Sequence, residues 1–99
     1  MNLFQLPLLP LDEELTTIIA ENKNIRIERI ISTGQTTDWY DQEETEFVAL
    51  LSGCAKLEFQ DGSITTLEQG DTVIIPPHSI HRVMETSQEP PCVWLCVFY

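Results

Sequence analysis

Three side chains that could take part in chemistry stand at even spacing in the stretch WYDQEETE, residues 39–46. They are Tyr40, Gln42 and Glu46, a phenol, an amide and a carboxylate, and an apolar run, FVALL, follows directly. Side chains of a β-strand alternate between its two faces, so regular pairing would direct all three to one face. Buried polar groups of this kind must bond to one another or hold a ligand. The stretch therefore predicts either a binding site or a mutually bonded polar cluster.

The chain around this stretch is divided into short strand-like segments. NIRIERII, which begins at Asn24, alternates Ile25 and Ile27 with charged residues, which is typical of a half-buried strand. The last segment, CVWLCVFY, is apolar on both faces and is expected to be covered on both sides. About seven such segments, separated by turns every 8–12 residues or so, predict an antiparallel sandwich or barrel.

Glycine and proline mark the turns between these segments. Asp61-Gly62 is a strong signal for a hairpin turn. Pro76-Pro77 ends the run TVII, because proline cannot donate a hydrogen bond inside a sheet. Both pairs are therefore predicted to lie at strand ends.

The first 23 residues are expected to precede the barrel. Leucine and proline recur over residues 3–11, which indicates an extended segment along the body of the protein. Asp12 could cap a short helix over LTTIIA, with Glu13 and Glu14 in its first turn. We therefore predict one domain over residues 1–99, with an extension and a short N-terminal helix over 1–23 and a barrel over 24–99.

Charge and composition exclude several classes of partner. The chain has 99 residues, 16 of them acidic and 5 basic, for a net charge of −11. Such a field repels phosphate backbones and anionic membrane surfaces, so no nucleic acid or membrane partner is expected. The N-terminus lacks the basic region of a signal peptide and is interrupted by Pro7 and Pro10. The three cysteines are odd in number and lack C-x-x-C spacing, which favours thiols in a reducing cytoplasm.

The spacing of the glycines relative to the candidate side chains resembles the two-part signature of the cupin superfamily. Residues 34–53 read glycine, five residues, Tyr-Asp-Gln, three residues, glutamate, six residues and glycine. Residues 70–81 read glycine, five residues, Pro-Pro-His, two residues and histidine. The chain also resembles a set of small stand-alone cupins that carry Trp-Tyr-Asp-Gln at this point. The resemblance implies an all-β fold, a small double-stranded β-helix of the jelly-roll type.

The same resemblance implies four metal-ligand positions, which fall on Tyr40, Gln42, Glu46 and His81. Two histidines of the family pattern are replaced by Tyr40 and Gln42, so the set could hold one divalent ion (Fe, Mn, Zn or Ni) only weakly. The alternative is a hydrogen-bonded pair of Glu46 with His81 or Tyr40 that needs no metal. His78 takes the place of a family glycine and is expected to be exposed rather than a ligand.

Two classes of function follow. The first is a cupin-like protein that binds a small polar ligand inside the barrel, with or without a divalent metal. The second is a metal-assisted or Glu/His acid–base enzyme of the isomerase, lyase or dioxygenase class. In that enzyme Glu46 and His81 would exchange protons and Tyr40 would polarise a carbonyl oxygen. The missing histidines weaken the catalytic interpretation and leave the binding interpretation intact.

A second copy of the chain is the expected macromolecular partner. Phe47, Ala49 and Leu51 share the strand face opposite to Glu46 and are apolar enough to require cover. The family resemblance favours the same arrangement. We therefore expect a homodimer.

Overall fold

The computed structural model describes residues 1–99 and consists of eight β-strands without a helix. The strands are β1 (Leu15–Glu21), β2 (Arg26–Ser32), β3 (Glu46–Ser52), β4 (Ala55–Phe59), β5 (Ile64–Leu67), β6 (Thr72–Ile75), β7 (His81–Thr86) and β8 (Cys92–Phe98). They form a five-stranded sheet, in the order β1-β2-β8-β3-β6, and a three-stranded sheet, β5-β4-β7. All pairings are antiparallel, which confirms the predicted all-β barrel.

The predicted N-terminal helix is wrong, because LTTIIA belongs to strand β1. This strand pairs with β2, from Leu15 opposite Ile31 to Glu21 opposite Arg26, with an irregularity between Ile18 and Ala20. Four of its seven residues are β-branched threonine or isoleucine. Such side chains lose rotamer freedom in a helix and fit a pleated surface, and the free edge of β2 supplies the hydrogen-bond partners. The larger sheet therefore begins before residue 24.

The extended N-terminal segment lies on the outside of the larger sheet and is held there by Arg29. Its Nη1 atom donates to the carbonyl oxygens of Asn2 (3.4 Å), Leu3 (3.4 Å) and Gln5 (2.9 Å). Only 6% of Arg29 is exposed, so the segment also shields this cation from solvent.

The core fills the space between the two sheets. Strand β8 lies between β2 and β3. Its inward face is buried, whereas Leu95 and Val97 on the outer face are only partly buried, so the predicted cover on both sides is incomplete within one chain. Trp94 points inward and donates from Nε1 to the hydroxyl of Ser32 at 3.1 Å. Val93, on the other face, is also fully buried. Strand β8 therefore contributes buried side chains to both faces of the larger sheet.

The predicted turns are confirmed. Asp61-Gly62 joins β4 to β5, and Gly62 has a φ of 88°. Strand β6 ends at Ile75, directly before Pro76. His78 follows with a φ of 60° and a side chain that is 64% exposed, outside the barrel, where it contacts Asp41 at 2.7 Å.

No helix of the structure could cross a membrane.

Candidate functional site

A cavity of about 210 Å³ opens between the two sheets, and all four predicted site residues line it. They are close to one another: Glu46 lies 3.0 Å from Gln42 and 3.7 Å from His81, and the Tyr40 ring lies beside the His81 ring. Much of the remaining wall is apolar and comes from Ile30, Val48, Leu57, Ile75, Val83 and Phe98. The structure therefore brings the four polar side chains together next to a hydrophobic wall.

Strand alternation does not explain how Tyr40 and Gln42 reach the cavity, so this part of the prediction is wrong. Strand β3 begins only at Glu46, and residues 41–45 have no strand structure. Two backbone hydrogen bonds between Tyr40 and His81 place Tyr40, with N···O distances of 2.7 and 3.1 Å. Gln42 is placed by its side-chain Nε2, which donates to Glu46 Oε1 at 3.0 Å.

His81 and Glu46 form the buried end of the site, with 4% and 8% of each residue exposed. His81 Nδ1 lies 2.8 Å from the carbonyl oxygen of Ser79 and must donate to it, because a carbonyl only accepts. In the neutral ring Nε2 is then an unprotonated acceptor. It faces Glu46 Oε1 at 3.7 Å, which is longer than a hydrogen bond. Two acceptors therefore face each other without a donor between them.

Burial raises the pKa of the Glu46 carboxyl, and the hydrogen bond from Gln42, the proximity of His81 and the Cys96 thiol oppose this rise. The thiol of Cys96 lies beside Glu46, and burial raises the pKa of this thiol well above its usual range. A carboxyl whose pKa is raised by folding destabilises the fold when ionised. This penalty is absent below the unfolded-state pKa and fully present above the folded-state pKa.

Tyr40 lies at the mouth of the cavity rather than at its end. The residue is 41% exposed, and its ring centroid is 5.9 Å from that of His81. Partial burial and the nearby carboxylates of Glu14 and Glu46 raise the pKa of the phenol. Tyr40 therefore stays protonated at neutral pH and can donate a hydrogen bond to a molecule in the cavity.

The sequence interpretation missed three charged residues that line the same cavity: Glu14, Arg26 and Glu28. Arg26 Nε donates to Glu28 at 2.7 Å, and the guanidinium lies 4.3 Å above the ring of Phe98. The alternation in NIRIERII could have indicated Arg26 and Glu28, because it places their side chains on the same face of the strand. That face lines the barrel interior, whereas Ile27 is on the opposite, outer face.

The donor set fits a divalent metal ion only as a weakly held one. No three His, Cys, Asp or Glu side chains converge so that they could hold a metal ion. Glu46 and His81 Nε2 are good ligands, and Gln42 could add its Oε1, because its Nε2 is bonded to Glu46. The Tyr40 phenol is a poor ligand while it is protonated.

Comparisons with known proteins agree with the fold. The family model described as "Cupin domain" matches residues 28–98. A structure from Ralstonia eutropha JMP134, provisionally named a mannose-6-phosphate isomerase, is 35% identical with a TM-score of 0.92, and the match covers 99% of this chain and 94% of that one. A cupin superfamily protein from Desulfitobacterium hafniense DCB-2 is 17% identical with a TM-score of 0.81, over 93% of this chain and 82% of that one.

A shorter match links the chain to a larger regulatory protein. The RCS-specific HTH-type transcriptional activator RclR of Escherichia coli K12 is 42% identical over 45 residues, which are 46% of this chain. The match spans only 16% of RclR. The Cupin domain model matches most of the chain, and the two-sheet barrel of the chain closely resembles the Ralstonia structure. The chain therefore belongs to the cupin superfamily.

Proposed function

We propose that this cupin binds a small polar molecule inside the barrel, at the end of the cavity where Glu46 and His81 meet. The observation that carries the proposal is the 3.7 Å approach of Glu46 Oε1 and His81 Nε2, two buried acceptors that cannot bond each other in the neutral state of the ring. Glu46 Oε1 accepts a hydrogen bond from Gln42, whereas His81 Nε2, which faces the cavity, has no hydrogen-bond partner, so this end of the cavity favours a molecule that donates a hydrogen bond to it.

The size of the cavity limits the ligand. An apolar cavity of about 150 Å³ accommodates a benzene molecule. A cavity of about 210 Å³ is therefore suited to a somewhat larger molecule, of roughly eight to ten non-hydrogen atoms. Tyr40, at the mouth, would donate a hydrogen bond to the outer end of such a molecule.

A second candidate function is acid–base catalysis in the same cavity. It is supported by the 35% identity to the Ralstonia protein that is provisionally named a mannose-6-phosphate isomerase. Glu46 and His81 would take and return a proton on a bound molecule, and the protonated Tyr40 would polarise its carbonyl oxygen. A weakly held divalent ion on Gln42, Glu46 and His81 would supply Lewis-acid polarisation of a ligand oxygen when bound.

The proposal is tested on protein purified without added metal or chelator. Mass spectrometry of the small molecules released on denaturation should show a retained compound, and elemental analysis should show less than one metal ion per chain. The variant Glu46→Gln should lose the retained compound, and Tyr40→Phe should lose less of it. Glu43→Gln makes the same chemical change at an exposed position outside the cavity and should retain it. Equal retention by Glu46→Gln and Glu43→Gln would show that the cavity is not the site.

A homodimer forms part of the proposal. Ile27, Val97, Phe47 and Ile74 lie opposite one another in neighbouring strands, on the outer face of the larger sheet. All four are at least partly exposed, and Ile74 is 59% exposed. A row of apolar side chains across four strands favours cover by the same row of a second copy. Ile74→Lys should shift the protein from dimer to monomer in sedimentation equilibrium, and a wild-type protein that is monomeric at high concentration would contradict the proposal.

A cytoplasmic location is also proposed. The three cysteines are free, and the thiol of Cys92 lies within 3.2 Å of the Cys54 carbonyl oxygen rather than near another sulfur. Free thiols persist in reducing compartments. Fractionation of the source cells with an antibody against the protein would test this location.

A further inference from the structure

The charge of the cavity lining narrows the class of ligand, and this step rests on the proposed function. We propose that the cavity selects a small organic cation, an ammonium group on an apolar body, and rejects anions such as sugar phosphates. Three features of the cavity favour such a ligand: the charge balance of its lining, the hydrogen-bonding character of its buried end, and its apolar wall.

The charge balance of the lining is negative. Three carboxylates, Glu14, Glu28 and Glu46, line the cavity together with a single arginine and no lysine. Arg26 is already paired, at 2.7 Å with Glu28 and at 3.3 Å with Glu44. An incoming phosphate would therefore meet an arginine whose charge is already neutralised by glutamates. It would also meet the carboxylates of Glu14 and Glu46. Burial and the neighbouring Glu28 raise the pKa of Glu14.

Two hydrogen-bond acceptors, His81 Nε2 and Glu46 Oε1, face each other at the buried end of the cavity. His81 Nδ1 is committed to the Ser79 carbonyl oxygen at 2.8 Å, which leaves Nε2 as an acceptor without a partner. One N–H of the Gln42 amide donates to Glu46 at 3.0 Å, and the thiol of Cys96 also donates to this carboxyl. An ammonium group carries only donors and could bond His81 Nε2 and Glu46 Oε1 together. A phosphate or carboxylate would add another acceptor to a site that already has two.

The wall of the cavity distinguishes an organic cation from a bare metal ion. Nine of the 17 lining residues are hydrophobic, which is more apolar surface than a metal ion with its waters can use. Val48, Leu57 and the ring of Phe98 form part of this wall. An aliphatic or aromatic body attached to the ammonium group would cover this surface and gain the hydrophobic contribution.

Three molecules of nearly the same size and shape test the inference: benzylamine, benzyl alcohol and benzoate. They present a cation, a neutral donor and an anion on one aromatic body at neutral pH. Each is titrated into the full-length protein as purified, and the backbone and imidazole resonances of cavity residues are followed by NMR. Benzylamine should bind at least about tenfold more tightly than benzoate, with benzyl alcohol between them.

Variants locate the source of this preference. Glu46→Gln should reduce the ratio of benzylamine to benzyl alcohol affinity by about tenfold, because it removes a charge and leaves the cavity size unchanged. Glu43→Gln should leave the ratio at its wild-type value. This ratio reports charge recognition, and a loss of fold stability alone would lower both affinities together.

The outcomes separate the inference from the proposed function. If benzoate or inorganic phosphate binds as tightly as benzylamine, the preference for cations is wrong and a ligand-binding cavity remains supported. If none of the molecules shifts the resonances of His81 or its neighbours, both the preference and the binding function are contradicted. The ranking of the three molecules is measured on the wild-type protein, so it does not depend on whether a variant folds.

Discussion

Replacing Gly53 by alanine should destabilise the fold far more than the same change at Gly62. Gly53 lies in the turn between β3 and β4 with a φ of 85° and is buried. A Cβ atom at this position would lie 2.8 Å from the carbonyl oxygen of Pro91, 2.8 Å from Ser87 Oγ and 2.9 Å from Cys92 Cα. Two of these three atoms belong to the backbone that leads into β8, the central strand of the larger sheet.

The expected magnitude has two parts. A residue with a Cβ atom in the left-handed region costs about 1–2 kcal/mol relative to glycine. Relief of the close contacts requires a shift of the backbone beside Cys92, which is fully buried, and such overpacking costs about 1–3 kcal/mol more. Gly62 has a φ of 88° and nothing within 4 Å of its Cβ position, so Gly62→Ala carries only the first part.

Urea denaturation of the two variants and the wild type, at one protein concentration, measures both parts. Gly53→Ala should lower the free energy of unfolding by about 2–5 kcal/mol and Gly62→Ala by about 1–2 kcal/mol, with similar denaturant dependence. The difference between the variants isolates the steric part, because their backbone angles are almost equal. Losses that agree within about 0.5 kcal/mol would refute the close approach of β8 to this turn.

Three further predictions concern the site and the core. Glu46→Gln should become more stable relative to the wild type as the pH rises from 4 to 8, because burial raises the pKa of the carboxyl and the ionised form is penalised; thermal unfolding at both pH values measures this, and a larger relative gain at pH 4 would contradict it. In a thiol titration of the native protein, the exposed Cys54 should react rapidly, whereas Cys96, buried and with a raised pKa, should react only after denaturation; two rapidly reacting thiols per native chain would be inconsistent with this burial. Trp94→Phe should lower the free energy of unfolding by about 1–3 kcal/mol, because its indole N–H bonds a buried hydroxyl at 3.1 Å; urea denaturation checks this, and a change below about 0.5 kcal/mol would show that the bond contributes little.

The amino-acid sequence by itself determined the features that depend on local backbone geometry and on complete burial. Gly62 allows the left-handed turn of the β4–β5 hairpin, and Pro76 cannot continue a strand, so both turns could be predicted. The burial of Trp94, Cys96 and Phe98 on the inward face of β8 could likewise be expected from their apolar side chains. The glycine and glutamate spacing also identified the family resemblance, and with it the residues that meet at the cavity.

Only the tertiary structure decided which partner each segment would find and which face would point inward. The β-branched residues of LTTIIA favour a strand, but its pairing with the edge of β2 is decided only in the tertiary structure. Gln42 reaches Glu46 through a side-chain hydrogen bond across an irregular segment, which strand periodicity cannot anticipate. The alternation of Arg26 and Ile27 shows that their side chains lie on opposite faces of β2. It does not tell which of the two faces points into the barrel. Packing of the two sheets around the cavity is what places the charged face inside, and with it the carboxylates that give the cavity its charge.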